Sequence, residues 1–152
     1  MIKAIIFDYG YTIFDSEKQL FQTNALSVVE ALAPKYKLIL VSKTKDTGAR
    51  LRQIEKAGFD QYFDYIQVLP KEENKNFENI LRHYKFKPEE YFVIGDRITS
   101  EIREGNRLGM KTCRFRYGPE KNLVPIDNLE EADYEIEDLS EVLDILRYGN
   151  IN

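Results

Sequence analysis

Five short apolar runs, each followed by a stretch with helical periodicity, constrain this chain more than anything else in it. The runs are IKAIIF (2–7), KLILVS (37–42), YIQVL (65–69), YFVIGD (91–96) and KTCRF (111–115), with a weaker sixth, YEIED, at 134–138. Nearly continuous apolar runs of this length mark strands buried on both faces. Between them, Phe21, Ala25, Val28, Val29 and Leu32 share one helical face, and Pro34 ends that helix. Thr44 or Asp46 caps a helix over 47–57, and Gly58 stands in its C′ position. Phe77, Ile80, Leu81 and Tyr84 repeat as a third helix; short helices follow over 99–108 and 139–147. Strands and helices in alternation predict a parallel sheet with helices on both faces and right-handed crossovers. The stretch 117–133, with Gly118, Pro119 and Pro125, is the expected irregular segment.

In such a sheet, ligands bind outside the carboxyl ends of the strands. Strand one ends in Asp8, strand two in Ser42 and strand four in Asp96, and the loop after strand three reaches Lys71. Two carboxylates, a hydroxyl and an ammonium are thus expected on one rim. These groups suit phosphoryl transfer through an aspartyl intermediate, in which a carboxylate attacks phosphorus and splits one hard step into two. The hydroxyl and the lysine match charge on the transferred oxygens from one side. Magnesium matches it from the other, held by one or two carboxylates, which Asp8 and Asp96 would supply.

The motifs FDYGYT, LILVS, KEENKNFENIL and VIGDRITSE, in that order and on those elements, resemble the four motifs of the haloacid dehalogenase (HAD) superfamily of hydrolases and phosphatases. The resemblance covers essentially the whole chain. It implies that Asp8 is the nucleophile and a metal ligand, and that Ser42 is the phosphate-binding hydroxyl. Lys71 would be the ammonium that steadies nucleophile and phosphate; Lys75, one helical turn on, competes for that role. Lys71 is preferred for its spacing to Phe77 and Asp96. Asp96 would be the acidic metal ligand, Glu101 the last acid that holds metal-bound water, and the Gly10 carbonyl a further ligand to Mg2+. Lys43, beside Ser42, would help bind the substrate.

One position departs from the family. Where its phosphatases carry a second aspartate as general acid and base, this chain has Gly10, and such help is worth about 10²–10⁴ in rate. Three expectations follow. The substrate has a good leaving group, such as an anhydride or acyl phosphate. A neighbour (Tyr9, Tyr11 or Asp15) substitutes. Or the protein is a phosphate-binding interaction module of the same fold with weak or no turnover. No cap is expected, because 29 residues separate Thr12 from Ser42 and 28 separate Ser42 from Lys71. An open rim admits large phosphorylated substrates, and an oligomer could close it over small ones.

The expected fold is thus α/β: a Rossmann-like three-layer sandwich, parallel strand order 3-2-1-4-5, with 1–152 as one domain. Composition adds exclusions. The net charge of −4, without a basic tract, argues against nucleic acid as partner. No apolar run approaches the ~20 residues of a membrane span, and no signal peptide is evident. The single cysteine, Cys113, reads as a buried inert thiol and fits a reducing compartment, hence a cytoplasmic location. Lys43, Lys45, Arg50, Arg52 and Lys56 read as a solvated helix face, and His83 as a surface residue.

Overall fold

The computed structural model describes residues 1–148. Its centre is a six-stranded sheet in which every neighbouring pair is parallel. The strands are β1 (Ala4–Asp8), β4 (Lys37–Thr44), β5 (Tyr65–Pro70), β6 (Tyr91–Gly95), β7 (Lys111–Phe115) and β8 (Tyr134–Ile136), in the order β5-β4-β1-β6-β7-β8. This is the expected 3-2-1-4-5 order with the weak sixth run added at the edge beside β7. β1 lies at the switch point: the chain leaves it toward β4 on one side and returns to β6 on the other.

Alternation along β1 explains the layers. Ile5 and Phe7 join one core, with Val28, Val29 and Leu32 of α1 (Ala25–Leu32), Ile54 of α2 (Thr47–Lys56) and Val142 of α5 (Glu141–Tyr148). Ala4 and Ile6 face the other way, onto Phe77 and Ile80 around α3 (Glu78–Tyr84). Helix α4 (Arg103–Leu108) approaches the sheet closely at Gly105, where an added Cβ would stand 2.8 Å from the Thr112 methyl. The cap of α2 is Asp46, whose side chain accepts the Ala49 N–H, and Gly58 follows that helix with φ +79°.

The span 13–33 differs from expectation. It begins with a small antiparallel hairpin, β2 (Phe14–Asp15) and β3 (Leu20–Phe21), and helix α1 starts only at Ala25. Aromatic packing accounts for the difference. Phe21 leaves the helix pattern to sit 5.0 Å from Phe14 and 4.9 Å from Phe59, ring centre to ring centre. Tyr9 stacks on Phe14 at 5.6 Å. The hairpin tip is closed by Asp15, whose carboxylate accepts the N–H groups of Glu17 and Lys18 and the Tyr117 hydroxyl.

After β7 the chain runs without regular strands or long helices to β8, as expected for 117–133. One buried cation pins it. Arg114, 3% exposed, donates to the carbonyls of Glu120, Lys121 and Leu123 at 3.0, 3.3 and 2.8 Å. Cys113 is fully buried, and burial pushes its thiol up to about 12. Among the described residues, no helix is long and apolar enough to cross a membrane.

The Arg114 clamp is testable. Arg114→Met should lower stability by about 1–3 kcal/mol and speed tryptic cleavage after Lys121 about tenfold, because loop opening becomes the cheapest local unfolding. Urea melts and mass-spectrometric mapping of early fragments read both.

Candidate active site

Asp8, Ser42 and Asp96 sit at the carboxyl ends of three adjacent strands. In register, Asp8 pairs with Val41, so Ser42 follows one step beyond, and Asp96 follows Gly95 directly. Glu101 arrives from a π-helical turn, Ile98–Ile102, that precedes α4. Such widened turns re-aim side chains and recur at functional sites. All three carboxylates are buried, and one oxygen from each lies within 4.8 Å of the others. Gly95 makes this possible: a Cβ there would stand 2.0 Å from Glu101 Cγ. The Arg97 N–H then fixes Glu101 by donating to its Oε1 at 3.0 Å.

The lysine that meets these carboxylates is Lys75. Its ammonium donates to Asp8 Oδ1, and to Glu101 Oε2 at 3.2 Å. Lys71, preferred from the sequence, is instead exposed on the rim of the same cavity, and Lys75 makes the carboxylate contacts in its place. The chain turns after Pro70 (Glu73 N–H donates to the Pro70 carbonyl) and α3 starts only at Glu78, so Lys71 lies in the turn well before the helix. Fully buried Phe77 anchors the strand-to-helix crossing, and Lys75, two residues earlier, projects to the strand ends.

Electrostatics follow from this packing. Burial pushes the Asp8 carboxyl up, but the Lys75 charge and hydrogen bonds from its neighbours more than offset it, leaving Asp8 below its ordinary value. Burial and the repulsion of Asp8 push Asp96 up to about 11. Burial and Asp8 also raise Glu101, against the opposing pull of Lys75. Among the described residues, Asp96 Oδ1 is buried without a hydrogen-bond partner. One ammonium serves two of the three carboxylates, and the third carries an open acceptor.

The hydroxyl of Ser42 accepts a hydrogen bond from Arg50 Nη1, and the Arg50 guanidinium lies 4.4 Å over the Tyr9 ring. Arg50 was assigned to a solvated face. The overlooked signal was its place one turn into α2, the helix that opens straight from the Ser42 strand. A cavity of about 500 Å3 collects Asp8, Gly10, Lys43, Arg50, Lys71 and Lys75 on its walls. A larger one, about 870 Å3, adjoins it across Tyr11 and is bounded by the hairpin tip and the loop after β7.

Gly10 is not imposed by backbone or packing. It lacks a positive φ, and a Cβ there would make an ordinary 3.7 Å contact with Ser16 Oγ. Of the three neighbours weighed as substitutes, Tyr9 points into the core and donates to Gln53 Oε1 at 2.6 Å. Asp15 is committed to Tyr117 and the hairpin tip. Only Tyr11, with φ +60°, lines the cavity with Asp8.

Lys75→Met should lower stability by about 3–5 kcal/mol, because it strands buried carboxylates without their cation. Lys71→Met, at an exposed position, should stay within about 0.5 kcal/mol of wild type. Chemical denaturation of the two variants checks the assignment; equal losses would reverse it.

The sequence model for the Haloacid dehalogenase-like hydrolase family matches residues 21–115. Two relatives named glyceraldehyde 3-phosphate phosphatase are similar. The Pyrococcus furiosus protein is 32% identical over 111 residues, 68% of this chain and 46% of its own length. The Methanopyrus kandleri protein is 32% identical over 109 residues, 66% of this chain and 47% of its own. This chain thus spans just under half the length of the curated relatives it matches. Among solved structures, the HAD-hydrolase YfnB from Bacillus subtilis, bound to magnesium, superposes with TM-score 0.79 at 15% identity, covering 95% of this chain and 98% of that one. The D,D-heptose 1,7-bisphosphate phosphatase of Burkholderia thailandensis gives TM-score 0.72 at 18% identity, covering 95% and 98%. With a family match over most of its length and the four motifs gathered at one sheet edge, the chain belongs to the haloacid dehalogenase-like hydrolases.

Proposed function

We propose that this protein is a magnesium-dependent phosphohydrolase in which Asp8 is the nucleophile. The observation that carries the reading is the buried cluster of Asp8, Asp96 and Glu101, served by one ammonium and leaving Asp96 Oδ1 open. Three carboxylates within 4.8 Å fit a hard divalent cation with oxygen ligands. Asp8 and Asp96, with the Gly10 carbonyl, would hold it. Glu101 has its two oxygens engaged by Lys75 and the Arg97 N–H, which suits a role through water. When bound, the ion would neutralise the carboxylates and phosphate oxygens that otherwise repel each other.

In this reading Lys75 keeps Asp8 ionised by holding Oδ1, and the Thr12 hydroxyl, donating to Oδ2 at 3.4 Å, helps aim the attacking oxygen toward phosphorus. Ser42 binds a phosphoryl oxygen, with Lys43 at the wall of the same cavity. Asp8 takes the phosphoryl group as an acyl phosphate, and water releases it. The similar glyceraldehyde 3-phosphate phosphatases suggest a phosphorylated small molecule as substrate. We take 1–152 as one domain without a cap, acting in a reducing, cytoplasmic setting. Its rim is open to larger phosphorylated partners, and a second copy could close it.

A competing reading rests on Gly10: the same pocket binds phosphate with little turnover. Phosphate release with magnesium separates the two. Asp8→Asn should cut kcat by at least about 10³-fold if Asp8 is the nucleophile. Gly10→Asp should raise turnover of an alkyl phosphate by about 10²–10⁴-fold by supplying the missing acid. An inert wild type made active by Gly10→Asp would favour the binding module.

Metal binding has its own readout. Magnesium at about a hundred times its Kd should raise Tm by about 5 °C or more. Asp96→Asn should abolish that rise. A rise that survives Asp96→Asn would remove Asp96 from the ligand set.

A further inference from the structure

We propose that the leaving group at this site is itself a phosphate. The substrate is a phosphoric anhydride, and its departing phosphate is received by Arg50 with Lys43, Lys45 and Lys71. The inference rests on the phosphohydrolase reading and names its substrate class.

The first observation is surplus charge. The chain as a whole carries a net −4, yet Lys43, Lys45, Arg50 and Lys71 line one cavity with Asp8. Among the described residues, none of these four forms an ion pair. The other two cations on that wall are neutralised: Lys75 by Asp8 and Glu101, Arg97 by Glu120 at 3.2 Å. One transferred phosphoryl group is already served by Lys75, by Ser42 and by the divalent ion that the carboxylate cluster would hold. Four further cations exceed what a single phosphoryl dianion requires, and they suit a second one. Arg50 is also pre-positioned, propped on the Tyr9 ring and tied to Ser42. A planar fork held this way binds phosphate oxygens with little further ordering.

The second observation is independent of charge. Gly10 leaves the site without the acid that an alkoxide leaving group needs, although a side chain would fit there. An alkoxide's conjugate acid ionises about as reluctantly as water, far above neutral pH. A phosphate monoester has a second pKa of ~6 and departs as a dianion at neutral pH. Cations replace the proton as the group that stabilises departure.

The reaction balances. An Asp8 oxygen bonds to the terminal phosphorus of an organic diphosphate, and the P–O–P bridge breaks. The electron pair stays on the bridging oxygen, which leaves as part of a phosphate monoester dianion; no proton is transferred. Water then attacks the phosphorus of the aspartyl phosphate. The bond to the Asp8 oxygen breaks, and dihydrogen phosphate departs with both protons of the water.

The test compares four substrates with magnesium: methyl diphosphate, inorganic pyrophosphate, methyl phosphate and acetyl phosphate. Methyl diphosphate should exceed methyl phosphate in kcat/KM by at least about 10²-fold. Pyrophosphate reports whether the anhydride source is inorganic or organic. Acetyl phosphate has a good leaving group but no second phosphate, so it isolates the role of the cations. Arg50→Met and exposed Lys71→Ala should each lower the ratio of methyl diphosphate to acetyl phosphate turnover by about tenfold. Calorimetric titration should show methylenediphosphonate binding more tightly than methylphosphonate, with the preference reduced in both variants. Equal turnover of methyl phosphate and methyl diphosphate, an unchanged ratio in the variants, or equal affinity for the two phosphonates would overturn this inference alone. No phosphate release from any substrate would overturn the phosphohydrolase reading, and the anhydride reaction with it.

Discussion

Everything at this sheet edge depends on the mutual repulsion of three buried carboxylates. Asp8, Asp96 and Glu101 are brought within 4.8 Å at the switch point, where burial removes the water that would screen them. Lys75 answers two of the three. The arrangement is expensive in the absence of further positive charge, which is the usual state of affairs where function rather than stability has chosen the residues. The surrounding fold supplies the rigidity. β1, β4 and β6 are buried on both faces, so the carboxylates cannot relax apart by bending the strands.

Much of this was legible in the sequence because buried parallel strands write themselves as apolar runs, and the clustered side chains stand at or near their carboxyl ends. Asp8, Ser42 and Asp96 needed only strand ends to be found. Lys75 did not: its position depends on how many residues the chain spends turning after Pro70, and periodicity says nothing about a non-helical lead-in. Phe77 was read as the first turn of a helix, when it is the anchor just before one. The hairpin was missed for a related reason. Phe21 fits a helical face, and only the rings of Phe14 and Phe59, distant in sequence or in the wrong period, pull it into a strand. Arg50 looked like one more charge on an exposed helix; its contacts with Ser42 and Tyr9 exist only in three dimensions.

Gly10 and the surplus cations describe the same site from opposite directions. One is a missing donor where the fold has room for it; the other is positive charge that, among the described residues, forms no ion pair. The family's fold tolerates both because its chemistry sits on strand ends, while the walls come from loops and helix starts that vary independently.

The Tyr117 hydroxyl on Asp15 joins segments 102 residues apart, and Gly118 lies so close to Tyr11 that a Cβ would stand 2.9 Å from its ring. Hairpin and late loop therefore form a single wall. Because Arg114 rivets that wall to the sheet from behind, its two halves are mechanically yoked, and both bear on the Tyr11 ring that lines the cavity with Asp8.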